Sequence, residues 1–137
     1  MEKNILDGTN RIYLIGIGGT GMSGLAKLLL DMGKKVAGSD NTPSATLKEL
    51  ENKGIRVFCP QAEKNVAGRK IGLAVYSHAI FPDNPEYKTF LQERIPMITY
   101  PRAVGCLMEK KRGIAVAGTH GKTTTSSLIV SVLKKSG

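Results

Sequence analysis

With 137 residues, 41% hydrophobic side chains and 16 glycines, the chain can build one compact domain and a short remainder, and two complete domains are excluded. A formal charge of +9 favours anionic partners, but the basic residues cluster only at Lys34-Lys35, Lys110-Lys111-Arg112 and Lys134-Lys135 among 5% aromatics, which argues against nucleic acid. Met1 to Asn10 lacks the apolar stretch of a secretory signal, no run approaches a membrane span, and Cys59 and Cys106 lack metal or redox spacing, so a cytoplasmic protein with free thiols is expected.

Short apolar runs alternate with segments of helical period, the pattern of a parallel sheet covered by helices. Arg11 to Ile15, almost wholly apolar, reads as a first strand buried on both faces. Gly21 to Met32 follows as a helix with Met22, Leu25, Ala26, Leu28 and Leu29 as its apolar stripe and Gly33 placed to end it. Val36 to Ser39 is a second strand. Thr42-Pro43 reads as a helix start, threonine capping and proline in the first position, with the helix reaching about Lys53 and stopping at Gly54. Arg56 to Phe58 and Leu73 to Tyr76 are the third and fourth strands, with a helical turn at Glu63 to Val66 between them. Asn84-Pro85 opens a helix to about Arg94, Met97 to Thr99 is a fifth strand, and Pro101 starts a helix to about Lys111. A sixth strand, Ile114 to Ala117, leads into a final helix, Lys122 to Lys135, with Leu128, Ile129, Val132 and Leu133 on its apolar side. The basic stretch at Lys110 to Gly113 separates a domain of residues 1–112 from the segment 113–137.

Two glycine loops carry the chemistry. Gly16, Gly18 and Gly21 form G-x-G-x-x-G between the first strand and the first helix, and Asp40 ends the next strand. Glycine allows a tight turn and close approach of a pyrophosphate, the helix N-terminus attracts its charge, and the acid is placed to accept from a ribose hydroxyl. This context favours nucleotide binding over a structural turn. Taken alone, it points first to a nicotinamide-dependent dehydrogenase.

The second loop, Gly118-Thr119-His120-Gly121-Lys122-Thr123-Thr124-Thr125, holds the Gly-Lys-Thr core of a phosphate-binding loop. Backbone amides would cradle a polyphosphate, Lys122 would meet its terminal phosphates, and the Thr123 hydroxyl would reach a magnesium ion. Val116 stands where the generic P-loop has glycine. The plainer alternative makes Lys122 an exposed residue early in a helix, and His120 reads either as a phosphate-orienting group or as a loop residue.

Together the segments Gly16 to Ala26, Gly38-Ser39-Asp40, Asp83 to Glu86 and Ala115 to Thr125 resemble the N-terminal part of the Mur ligases, in the branch that joins L-alanine to UDP-N-acetylmuramic acid. The branch that recycles murein tripeptide shares Gly118 to Thr125 and is the close alternative. An NAD-binding oxidoreductase or sensor domain is the alternative from another class, and it has no use for a Gly-Lys-Thr loop. The resemblance implies an α/β fold: a Rossmann-like parallel sheet flanked by helices for the UDP-sugar, followed by the first strand, P-loop and helix of a truncated central ATPase domain. It implies that ATP phosphorylates the muramic carboxylate and L-alanine displaces phosphate, with Mg2+ neutralising the phosphates.

By resemblance, Gly18, Gly19, Thr20, Gly21, Met22 and Ser23 lie against the UDP diphosphate, with Ser39 and Asp40 near the uridine. Ser77, His78, Asn84 and Arg102 fall in substrate-facing loops; a helix cap or loop hydrogen bond is the plainer role for His78 and Asn84, and a surface position for Arg102. Gly118, Thr119, His120, Gly121, Lys122, Thr123 and Thr124 surround ATP, with Lys122 and Thr123 as the catalytic pair and Thr123 as the magnesium ligand. The chain departs from the family pattern at His78, where serine is frequent, and at Pro60-Gln61, where Gly-His is frequent. The expected partners are UDP-N-acetylmuramic acid, ATP and L-alanine, with no nucleic acid and no membrane, and the fragment alone is expected to bind without turnover. The apolar face of helix 122–135 is expected to fold back on the first domain or to pack against a second copy.

Overall fold

The computed structural model describes residues 4–110. The sixth strand, the second glycine loop, helix 122–135 with its expected self-association, and the division after residue 112 lie outside the described residues.

The described chain runs β1 (Arg11–Ile15), α1 (Thr20–Asp31), β2 (Lys35–Ser39), α2 (Ala45–Asn52), β3 (Arg56–Phe58), a 3-10 turn at Glu63–Asn65, β4 (Leu73–Tyr76), α3 (Pro85–Gln92), β5 (Met97–Thr99) and α4 (Tyr100–Lys110). The strands form one five-stranded sheet in the order β3-β2-β1-β4-β5, and every pairing is parallel. This is the α/β architecture that the alternation of apolar runs predicts.

The period-two geometry of the strands sorts side chains to two sides. Ile12, Leu14, Val36, Leu73, Val75 and Ile98 pack with α1, with Leu47 and Leu50 of α2, and with Ala103 and Leu107 of α4. Tyr13, Ile15 and Ala74 face the other way, onto Val66 and onto Phe90 of α3. Both faces are covered, so the strands carry no polar alternation, as a parallel sheet requires. Helices on opposite faces also follow from right-handed crossovers, because the chain moves outward from β1 to β3 and then returns past β1 to β4 and β5.

One device ends three helices. At Gly33 (φ 86°) the Lys34 N–H donates to Leu29 O at 3.1 Å; at Gly54 (φ 99°) Ile55 N–H donates to Leu50 O at 3.1 Å; and at Arg94 (φ 57°) Ile95 N–H donates to Phe90 O at 3.0 Å. Each is a left-handed cap that satisfies a terminal carbonyl. Glycine signals the first two in the sequence. Arg94 gives no such signal, so α3 stops at Gln92 rather than near Arg94. Arg94→Gly is expected to raise the unfolding free energy by about 0.5–1 kcal/mol, the relief of left-handed strain exceeding the entropy added to the unfolded chain. Urea denaturation measures this, and an unchanged or lower midpoint at constant slope would contradict it.

The start of α2 differs from the Thr42-Pro43 reading. Ser44 is the cap, its Oγ accepting from Leu47 N at 3.3 Å. Asp40 Oδ1 accepts from Thr42 N at 3.2 Å, which holds residues 41–43 in a turn and delays the helix. Asn84 does cap α3, its Oδ1 accepting from Glu86 N at 2.9 Å and Tyr87 N at 3.2 Å, with Pro85 in the first turn. Among the described residues no helix is long and apolar enough to cross a membrane.

Candidate functional site

Strand order reverses at β1 and β4, and in open parallel sheets the crevice at such a point, beyond the carboxyl ends of the strands, is where ligands sit. Here a cleft of about 490 Å³ lies there, lined by Gly16 and Gly19 from the glycine loop, Asp40 and Asn41 after β2, Gln61 after β3, and Ser77 to Pro85 after β4, His78 and Pro82 excepted. A second cavity of about 530 Å³, lined by Arg11, Arg69 and Lys70, sits at the opposite, amino ends of β1 and β4. No helix N-terminus serves that second cavity.

The glycine loop is built by close approach. Gly16 adopts φ 88°, and the N–H groups of Gly16 and Ile17 both donate to Ser39 O at 2.8 Å. A Cβ on Gly18 would stand 2.7 Å from Asp40 Oδ2, and one on Gly21 would stand 2.7 Å from the Tyr100 ring. Gly19 caps α1 without a side chain, and the first turn holds no acid. The amides of Thr20, Gly21 and Met22 therefore meet neither an intrahelical acceptor nor a cap, and the positive helix end is uncompensated. That is the chemistry of an anion site.

The structure divides the sequence-based site residues. Of these residues Gly19 lines the cleft, Gly18 packs against Asp40, Thr20 and Gly21 begin α1, and the Met22 side chain is buried in the core. Ser23 is buried, its Oγ donating to Thr20 O at 3.1 Å. Asp40 is half-buried and uses Oδ2 to accept from Gly18 N at 2.9 Å, so it shapes the loop as well as lining the cleft. Ser77 lines the cleft beside Gly16, where a Cβ would lie 3.2 Å from its Oγ. His78 is exposed beside the cleft, and Arg102 is exposed at the start of α4, its N–H directed at Thr99 Oγ1 at 3.4 Å. Residues 118–124 lie outside the described residues.

Ser39 faces inward. It is fully buried and its hydroxyl donates to Glu86 Oε2 at 2.5 Å. Glu86 Oε1 accepts from Tyr13 Oη at 2.8 Å, Asn65 Nδ2 at 2.9 Å and Ala62 N at 3.4 Å. Burial, and then the Glu86 charge, raise the Tyr13 phenol above its ordinary range, which keeps it protonated as a donor. This buried carboxylate ties β1, β2, α3 and the loop after β3 together directly beneath the cleft.

Sequence reasoning missed Asn41 and Gln61. Gln61 N donates to Asn41 Oδ1 at 2.8 Å, Asn41 Nδ2 donates to Gln61 Oε1 at 3.2 Å, and Asn84 Nδ2 donates to the same Oε1 at 2.6 Å. Three amide side chains from three loops thus meet at the rim. The run Asp40-Asn41 following β2 was the available hint for Asn41, and the departure from the family pattern at Pro60-Gln61 was the hint for Gln61.

A parallel sheet with a strand-order reversal, a glycine loop leading into an uncapped helix and an acid at the tip of β2 define a Rossmann-like α/β protein. The chain belongs to the Mur ligase family: the family model described as "Mur ligase family, catalytic domain" matches residues 11–112. UDP-N-acetylmuramate--L-alanine ligases from Polaromonas sp. and Sulfurihydrogenibium sp. are each 46% identical to it, over 92% and 93% of this chain. The chain spans about a quarter of the length of these relatives, 27% and 28%. Among solved structures, the UDP-N-acetylmuramate-alanine ligase MurC of Thermotoga maritima matches with a TM-score of 0.68 and 29% identity, covering 74% of this chain and 23% of that one. A UDP-N-acetylmuramate:L-alanyl-gamma-D-glutamyl-meso-diaminopimelate ligase from Neisseria meningitides matches at 0.63 and 28%, covering 68% and 29%.

Proposed function

We propose that the chain is the UDP-sugar-binding portion of an ATP-dependent ligase that joins L-alanine to UDP-N-acetylmuramic acid in peptidoglycan synthesis. The observation that carries this reading is the uncapped N-terminus of α1, whose cap residue Gly19 lines the cleft together with Asp40. In this reading the amides of Thr20, Gly21 and Met22 hold the diphosphate, Asp40 stands by the ribose, and Ser77, Asn84 and the exposed rim residues His78 and Arg102 lie along the path of the sugar.

Gly118, Thr119, His120, Gly121, Lys122, Thr123 and Thr124 take ATP, with Lys122 neutralising the terminal phosphates as the muramic carboxylate attacks. The oxygen of Thr123 suits magnesium, which would offset phosphate charge there. Among the described residues no group of three or more His, Cys, Asp or Glu could hold a metal. The acyl phosphate that forms is then opened by the amino group of L-alanine, releasing phosphate and leaving an amide. A cytoplasmic setting accords with Cys59 and Cys106 being unpaired. Identities of 46% to L-alanine ligases support that branch, while the matched structures of the two branches stand level at 29% and 28% identity.

Titration calorimetry tests the reading. UDP-N-acetylmuramic acid is expected to bind this chain more tightly than NADH. Tighter binding of NADH would transfer the glycine loop to an oxidoreductase or sensor and overturn the proposal.

A further inference from the structure

At the amino ends of the strands, away from the nucleotide cleft, the fold gathers positive charge. Arg11 of β1 stands in register with Lys35 of β2, and Arg56 of β3 pairs with Ala37, two residues beyond Lys35. Register partners, and residues two apart on one strand, share a face of the sheet, so these three cations form a row on the side of Tyr13 and Phe58. Arg69 and Lys70, from the turn before β4, complete the wall. Two recesses share it, one of about 530 Å³ and one of about 160 Å³, both lined by Arg11, Arg69, Lys70 and Ile71, while Lys35 and Arg56 line the smaller. All five cations are exposed.

The arrangement opposes folding rather than helping it. Like charges opposite each other on neighbouring strands repel, and among the described residues none of the five cations forms an ion pair. No carboxylate lines the smaller recess, and Glu93, the acid of the larger, accepts from Gly68 N at 3.3 Å. Two of the guanidinium groups are also held in place: Arg56 and Arg69 set Cζ 5.6 and 4.9 Å from the centroid of the Phe58 ring. Fixed cations without counter-charge around a concave surface are the chemistry of an anion site. Neighbouring strands lie roughly 4.8 Å apart, so β1 to β3 spreads the row over roughly 10 Å. A chain of two or three phosphates meets the whole row at once, where a single phosphate meets part of it. The Phe58 ring is engaged by Tyr13 and by both guanidinium groups, which leaves no aromatic platform there for a nucleic-acid base.

We propose that Arg11, Lys35, Arg56, Arg69 and Lys70 form a second anion site that takes a small polyphosphate, either an inorganic chain or the phosphates of a nucleotide, at the end of the sheet opposite the nucleotide cleft. The site stands independently of the ligase reading of that cleft. Its guanidinium groups grip phosphate oxygens in pairs, and the bound anion removes the repulsion along the row.

The test is amide NMR titration of the chain with inorganic tripolyphosphate and, separately, with ATP, repeated on Lys35→Gln and on the double variant Arg56→Gln/Arg69→Gln. Tripolyphosphate is expected to give saturable shifts at Arg11, Lys35, Arg56 and residues 69–71, with a dissociation constant of their own, distinct from that of any shifts at residues 18–21. The double variant should weaken this binding by on the order of tenfold or more and leave the response of residues 18–21 to UDP unchanged. Lys35→Gln should raise the melting temperature of the free chain, because it relieves repulsion, and reduce the further rise that tripolyphosphate produces. A lysine with a merely structural role would not give those opposite signs, and this variant keeps the test open if the double variant fails to fold. ATP binding more tightly than tripolyphosphate would identify a nucleotide as the source of the phosphates, and weaker binding an inorganic chain; either result supports the site. Absence of saturable shifts along the row, shifts undiminished in the variants, or sulfate at equal ionic strength saturating as tightly as tripolyphosphate would overturn it. A single-stranded oligonucleotide that binds the row more tightly than tripolyphosphate would make it a nucleic-acid surface, and would overturn the proposal as well.

Discussion

Glu86→Leu is expected to lower the unfolding free energy by about 3–5 kcal/mol, the scale for removing one partner from a buried charged network. The carboxylate is fully buried and receives hydrogen bonds from Tyr13, Ser39, Asn65 and Ala62. Leucine has a similar volume but accepts from none of them, and each buried donor left unpaired costs about 1–3 kcal/mol. Glu86→Gln separates the polar effect from the packing effect. Glutamine can keep its oxygen toward Tyr13, Asn65 and Ala62 and turn its NH2 toward Ser39, whose hydroxyl rotates to accept. Its expected cost is about 1 kcal/mol. Urea denaturation of the three proteins decides the matter: a leucine variant within 1 kcal/mol of the parent would mean that the network contributes little to stability.

The same network explains a limit of sequence reasoning. Asn84-Pro85-Glu86 announces a helix start, because a capping side chain and a first-turn proline act over one turn, and α3 does begin there. Nothing local announces that Glu86 turns inward to meet Tyr13, a residue far away in sequence on β1. Ser39 was legible as a residue at the end of a strand, next to an acid, but its burial depends on that distant carboxylate. The five strands and α1 were legible for the opposite reason. Their buried faces are set by consecutive apolar residues, as in Ile12 to Ile15, and by glycines at fixed offsets.

Where two local signals competed, the sequence misled by a few residues. Thr42-Pro43 and Ser44 both offer caps for α2, and the choice fell to Ser44 because Asp40 holds the Thr42 amide. Asp40 itself was legible as the acid after β2. Its grip on Gly18 N, which fixes the shape of the glycine loop before any ligand arrives, is a matter of tertiary geometry. The rim amides were the least legible part of the site, because Asn41, Gln61 and Asn84 come from separate loops and meet only once β2, β3 and β4 lie in register.

Two glycines in this chain should respond to alanine in opposite directions. Gly38 lies on β2 opposite Leu14 of β1, and a Cβ there would stand 2.6 Å from Leu14 O, 2.6 Å from Ile17 Cδ1 and 2.8 Å from Ile17 Cβ. The carbonyl belongs to the sheet backbone and cannot swing away, so β1 and the chain entering the glycine loop must shift. Gly38→Ala is expected to cost about 1–3 kcal/mol, at the upper end because backbone is displaced. Because Ile17 lies between Gly16 and Gly18, the variant should also bind UDP more weakly. Gly24 sits exposed within α1, with nothing within 4 Å of its hypothetical Cβ. Gly24→Ala should stabilise by about 0.5–1 kcal/mol, through higher helix propensity and a less entropic unfolded chain, and leave UDP binding unchanged. Thermal denaturation with and without UDP reads both effects. If Gly38→Ala matches the parent in stability and in ligand-induced shift, then the packing of β2 against Ile17 does not hold the phosphate loop in place.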